Sequence, residues 1–285
     1  MSGKQVRYPA VAGQFYAGTK SALLKQIEDC YLHRLGPGRV PKLKDDGKRF
    51  VKGAVLPHAG YEYSGPIAAH VFDALAEDGF PDIFVMIGGH QNLYDETVIT
   101  TETFVTPLGE IPVDKNLAEK MDMEENSDVH AREWAIEVQL PFLQHLKSEI
   151  KFVPIYAPMD VERAKIAGKK IAEAIKGEDV VILASSDFTH AGSNYDQLPP
   201  KGMRVDEFVR KQDELAIRAI LELSPTKLFK EVEENEISMC GCGSVAAMLF
   251  ALEKRAKSAE LLKYATSYEI LPSSSAVGYG AIIVK

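Results

Sequence analysis

The segment VVILASSDFTH, residues 180–190, is the clearest pointer to the architecture of this chain. Its first five residues are apolar without a break, and the chain then turns abruptly polar. A strand with one wet face would alternate apolar and polar positions. An unbroken apolar run of this length instead marks a strand covered on both faces, as in a largely parallel sheet flanked by helices. Upstream, the same run-then-loop pattern occurs in GAVLPH, residues 53–58, where Pro57 stops the run, and in IFVMIGGH, residues 83–90. KFVPIY (151–156) and TVITTE (97–102) read as further strands.

Helical periodicity fills the intervals. From Thr19, a candidate cap, to Leu35, the apolar residues Leu23, Leu24, Ile27 and Tyr31 recur every three or four positions. Ile67, Val71, Ala74 and Leu75 do the same after Ser64-Gly65-Pro66, as does the stretch Val161 to Ile175. Residues Ala135 to Leu146 are also helix-like, with Pro141 placed to kink or break them. The C-terminal third predicts helices over Val205 to Leu223, Pro225 to Glu233 and Ser244 to Lys254, then two strands in LLKYATSY and GYGAIIVK. Strands alternating with helices give an α/β fold whose central sheet is mostly parallel, and the last two strands make it mixed.

The 285 residues, 46% hydrophobic and 26% charged, suffice for a substantial core. Lys plus Arg number 33 against 41 Asp plus Glu, a formal charge of −8, which disfavours a nucleic-acid or anionic-membrane partner. Cys30, Cys240 and Cys242 are too few for the disulfide framework of a secreted domain. The opening MSGKQVRYPAVAGQFY lacks the apolar stretch of a signal peptide, and no window approaches the roughly 20 apolar residues of a membrane span. A cytoplasmic protein is expected. Gly36 to Lys52 is the most loop-like stretch, too near the N-terminus to divide two domains, so one domain over 1–285 is expected.

Ligands bind such sheets beyond the carboxyl ends of the strands, where neighbouring loops diverge. His58 follows the first of the three runs, His90 the second, and Asp187 with His190 the third. A lone loop histidine is more often a turn or packing residue, but three such loops on neighbouring strands would bring imidazoles and a carboxylate into one cleft, the material of a metal site or an acid/base pair. Cys240, in ISMCGCGSVAAML, lies just before a helix whose N-terminus would favour its thiolate; the bland alternative is a small buried thiol. One Cys-x-Cys without a partner pair is a weak signal for structural zinc. His33, His70 and His145 read as structural and His130 is open. Glu133 and Glu137, four apart, read as a solvated helix face. The chain has no Gly-x-Gly-x-x-Gly, no phosphate-binding loop with its lysine and no Gly-x-Ser-x-Gly elbow.

Seven ordered motifs resemble the Memo family: PAVAGQFY, PHAGYEYSGPIAAH, TPLGEIPVD, IEVQLPFLQ, SSDFTH, MCGCG and VGYGAIIV. The resemblance spans nearly the full length. It implies a three-layer α/β/α sandwich around a mostly parallel mixed sheet, like that of the class III extradiol dioxygenases. It also implies a metal site at His58, His90 and Cys240, with Asp187 and His190 beside it. A thiolate where those dioxygenases have a carboxylate favours copper or thiolate-bound iron, and zinc accepts the same ligands. This chain has Gly88-Gly89-His90 where family members commonly show Gly-Pro-x-His, and Glu133-Trp134-Ala135 where many carry Glu-His-Ser. Cys242 adds a second thiol beside Cys240.

Two function classes follow. The first is an iron- or copper-dependent oxidoreductase in which His58, His90 and Cys240 hold the metal, Asp187 orients a neighbouring group and His190 moves protons. The second is a non-catalytic module holding a peptide or small acidic ligand in the same cleft. Zinc in the site would instead suit metal-assisted hydrolysis. The resemblance further implies a radical-SAM protein as a partner.

Overall fold

The computed structural model describes residues 5–89 and 94–285; His90 therefore lies outside the described residues. Strand β1 (Val6–Arg7) is followed by α1 (Lys20–Leu32), β2 (Gly53–Leu56), α2 (Gly65–Asp78) and β3 (Ile83–Gly88). The middle of the chain forms β4 (Val98–Ile99), β5 (Thr103–Thr106), β6 (Gly109–Ile111), α3 (Lys115–Lys120), β7 (Glu124–Glu125) and α4 (Ser127–Arg132). A 3₁₀ turn at Glu137–Gln139 leads into α5 (Leu140–Leu146), β8 (Phe152–Tyr156), α6 (Val161–Ala174), β9 (Val180–Ser185) and β10 (His190–Gly192). The chain closes with α7 (Val205–Leu221), α8 (Pro225–Glu234), α9 (Cys242–Leu252), β11 (Ala259–Thr266), a 3₁₀ turn at Ser267–Glu269 and β12 (Ser275–Val284).

Local chemistry sets several of these limits. The Asp160 carboxylate accepts from the Arg163 amide and starts α6; Ser224 caps α8 ahead of Pro225. Pro141 sits in the first turn of α5, where its missing N–H costs nothing, so the helix expected over Ala135 to Leu146 begins only at Leu140.

The main sheet runs β10-β12-β2-β9-β3-β8-β4-β7, with β11 also paired to β12. Its centre, β2-β9-β3-β8, is parallel. β12 joins antiparallel to β2 on one side, and β4 joins antiparallel to β8 on the other. Every residue of β2, β8, β9 and β12 is buried, as expected of strands covered on both faces. The helices contact one another in two groups, α1 with α2 and α5, and α6 through α9, and both groups pack on the sheet. This mixed α/β arrangement is compatible with an α/β sandwich. A separate three-stranded sheet, β1-β5-β6, lies at the side. The core takes residues from Val11 to Val284. No helix among the described residues is long and apolar enough to cross a membrane.

The strand order has a direct consequence for the site. β2, β9 and β3 are immediate neighbours and point the same way, so the loops after Leu56, Ser185 and Gly88 leave the sheet side by side.

Candidate functional site

A cavity of about 500 Å³ opens beyond the ends of β2 and β9. His58, Asp187, His190 and Cys240 all line it. His58 directly follows Pro57 and is 4% exposed; its Nε2 lies 3.2 Å from the Cys240 sulfur, and its Nδ1 lies 3.1 Å from the Ser185 hydroxyl. Asp187 Oδ1 accepts the backbone N–H groups of His58 and Ala59, at 2.8 and 3.3 Å. That carboxylate therefore ties the β9 loop to the β2 loop.

His190 begins β10, where its Nδ1 stands 3.1 Å from the Ser238 carbonyl. A carbonyl only accepts, so Nδ1 carries hydrogen, and in the neutral ring Nε2 keeps its lone pair. The Tyr195 ring meets the imidazole edge-on at 5.2 Å.

The Cys240 turn is pressed against β9. Gly241 donates its N–H to the Ser186 hydroxyl, and a Cβ on Gly241 would come within 2.3 Å of the Ser185 carbonyl oxygen, so only glycine lets the two backbones meet this closely. The helix-terminus lowering expected for the Cys240 thiol is outweighed. Burial pushes the thiol well up, and the Asp187 charge adds to that. Cys242 is buried in the core as the first residue of α9 and is not a wall of the cavity; burial pushes its thiol up to about 12.

Among the described residues no group of three or more His, Cys, Asp and Glu side chains has the arrangement of a metal site. His58 and Cys240 form a pair, and His90, expected as the third ligand, falls outside the described residues.

The sequence reading puts Phe15 and Trp134 at the cleft but none of the tyrosines that join them there. Phe15 and Trp134 meet edge to face at 5.6 Å, and Tyr63, Tyr195 and Tyr279 complete the aromatic lining. Tyr63 and Tyr279 lie within the quoted motifs PHAGYEYSGPIAAH and VGYGAIIV, the signal that could have found them. Tyr195 lies in a loop with no such signal. Burial, with Asp187 nearby, raises the phenol of Tyr195 and takes that of Tyr279 higher still. Trp134 thus occupies cavity wall at the position where the family resemblance implies a histidine. His130 does not stand in for that imidazole. It is fully buried away from the cavity, its Nε2 is 3.2 Å from the Val98 carbonyl, and desolvation lowers it to about 4.

Glu133 and Glu137 correct the expectation of a solvated helix face, since both are fully buried. Glu133 ends α4 in extended backbone and accepts the N–H groups of Ala135 and Ile136. Glu137 is paired with Arg7 and accepts from Ala10 N, Val11 N and the Tyr16 hydroxyl. Their spacing reflects satisfaction of buried backbone donors, not helix amphipathicity.

The Memo-like protein family model matches residues 7–283. The chain belongs to the Memo family. A MEMO1 family protein of Methanopyrus kandleri is 39% identical, over 98% of this chain and 99% of its own length. One from Sulfurisphaera tokodaii is 38% identical over 96% and 97%, and one from Methanobrevibacter smithii is 35% identical over 98% and 100%. Memo membership therefore covers the whole set of loops that builds the cavity, from Phe15 to Tyr279.

Proposed function

We propose that this cavity is the working site of a metal-dependent oxidoreductase that acts on a small organic molecule, with iron or copper held by His58, His90 and Cys240. The observation that carries the reading is the 3.2 Å contact between His58 Nε2 and Cys240 Sγ. Nitrogen and sulfur ligands on one first-row metal, at about 2.1 and 2.3 Å, stand about 3.1 to 3.6 Å apart for bond angles from square to tetrahedral. The pair fits that span without rearrangement. A bound metal would supply an electron-accepting centre and polarise a coordinated oxygen. The thiolate makes the donor set softer than that of the class III extradiol dioxygenases, whose α/β/α sandwich is the fold relation we propose.

Around that centre, Asp187 holds the His58 loop through two backbone N–H groups. His190, with Nδ1 committed to Ser238, presents an accepting Nε2 and takes a proton from a substrate hydroxyl or amine. Phe15, Trp134 and Tyr279 exclude water and offer flat faces to a planar ligand.

The alternative, a binding module for an acidic ligand or peptide, has less support from the lining. Among the described residues no lysine or arginine faces the cavity, the stretch 90–93 contains none, and Asp187 contributes negative charge. An anion would be desolvated there without a protein counter-charge.

Metal analysis of protein purified without chelator tests the reading. Iron or copper approaching one per chain is expected, with loss in both His58→Ala and Cys240→Ser. Unchanged metal content in both variants, or none in the wild type, overturns it.

A further inference from the structure

Two residues of the quoted motifs, Ser185 in SSDFTH and Gln139 in IEVQLPFLQ, have no part in the chemistry described so far. Both are buried behind His58. The Ser185 hydroxyl touches three groups: the Ala135 carbonyl at 2.8 Å, Gln139 Nε2 at 3.0 Å and His58 Nδ1 at 3.1 Å.

A carbonyl oxygen can only accept, so the single hydrogen of the hydroxyl goes to Ala135. Gln139 Nε2 also lies 2.8 Å from the Pro57 carbonyl, which identifies that end of the amide as the nitrogen and makes it a donor to both Pro57 and Ser185. Towards His58, then, the Ser185 oxygen has only a lone pair to offer. Nδ1 must carry the imidazole hydrogen. A neutral ring has one such hydrogen, so Nε2 is left with its lone pair, and Nε2 is the nitrogen beside Cys240.

We infer that Ser185 and Gln139 are positioning residues that lock His58 in the Nδ1–H form and keep its Nε2 lone pair facing the Cys240 sulfur. The lock opposes the intrinsic preference of histidine, whose free neutral ring favours hydrogen on Nε2. That alternative form would turn an N–H group on the thiol, and the ring could neither accept the thiol hydrogen nor ligate a metal through Nε2. The hydrogen-bond chain also explains why the 3₁₀ turn at Glu137–Gln139 must sit against the ends of β2 and β9: Gln139 reaches Pro57 after one strand and Ser185 at the end of the other. The purpose given to the lone pair rests on the metal reading above; the tautomer does not.

The test is ¹⁵N NMR of histidine-labelled, chelator-treated protein. Wild type is expected to show a pyrrole-type Nδ1 and a pyridine-type Nε2 at His58. Ser185→Ala is expected to move hydrogen onto Nε2, and Ser185→Thr, which keeps the hydroxyl, to restore the wild-type pattern. Zinc ion alone, titrated into the same samples, should bind about 10- to 100-fold more weakly to Ser185→Ala, the usual scale for removing a hydrogen-bond partner of a ligating histidine. A pyridine-type Nδ1 in the wild type overturns the inference even if Ser185→Ala does not fold, and so does an unchanged tautomer in a folded Ser185→Ala. The expected tautomer in a wild type that binds no metal would leave this inference standing and contradict the metal reading instead.

Discussion

Asp213, on α7, is the buried carboxylate from which the loop carrying Asp187 and His190 hangs. Its Oδ1 accepts the Thr189 N–H at 2.9 Å, and its Oδ2 takes the Tyr264 hydroxyl at 2.6 Å. A Cβ on Gly278 would come within 1.7 Å of that same Oδ2, so β12 can pass only with glycine there. Burial raises Asp213 to about 7, against the hydrogen bonds from Thr189 and Tyr264 and the charge of Arg210, all of which lower it. An unfolded aspartate titrates near about 4. Because the folded value is raised, the stabilising effect is fully present below pH ~4 and is lost as pH climbs through ~7. The melting temperature of the wild type should therefore fall between pH 5 and 8 relative to Asp213→Asn, which does not titrate. Parallel pH profiles for the two proteins by thermal denaturation would contradict this. Residues of this kind were not legible: nothing in the spacing around Asp213 distinguishes it from the exposed acids of the same helix. His58, Asp187, His190 and Cys240 could be picked out as cavity residues, because each lies within a few residues of an element that the apolar pattern marks.

At the scale of elements, the segment before α1 is fastened by charge as well as by packing. Arg7, 2% exposed, pairs with Glu137 and donates to the carbonyls of His130 and Glu133, while Phe15 further along the same segment becomes cavity wall. Removing one partner of a buried pair leaves the other charge without compensation, at about 3 to 5 kcal/mol. Glu137→Met should lower the urea-unfolding free energy by that amount, and Arg7→Met by a similar amount. A loss below about 1 kcal/mol in both would show that the pair does not hold the segment. Nothing in the local pattern warns of this pairing, since 130 residues separate the partners. The Glu133 to Gln139 stretch misleads for a local reason: four-residue spacing implies one helix face only where the backbone is α-helical, and here extended backbone at Glu133 and a 3₁₀ turn intervene.

Across the whole molecule, strands buried on both faces announce themselves in sequence: that rule reads β3 and β9, and the short apolar runs of β2 and β8 read as strands beside them. Their order is not read this way. Placement of β9 between β2 and β3, and of β12 beside β2, depends on which helices cover which face, a tertiary choice that periodicity does not record. Yet that order is what brings the loops after β2 and β9 together with the Cys240 turn at one cavity. The metal proposed for this convergence is open to direct detection. Anomalous diffraction above and below the iron and copper edges, from crystals of anaerobically prepared protein, tests it most directly. An iron or copper peak is expected within bonding distance of both His58 Nε2 and Cys240 Sγ; a fully occupied cavity density with no anomalous signal there, or a metal bound elsewhere and not at this pair, would overturn the metal reading.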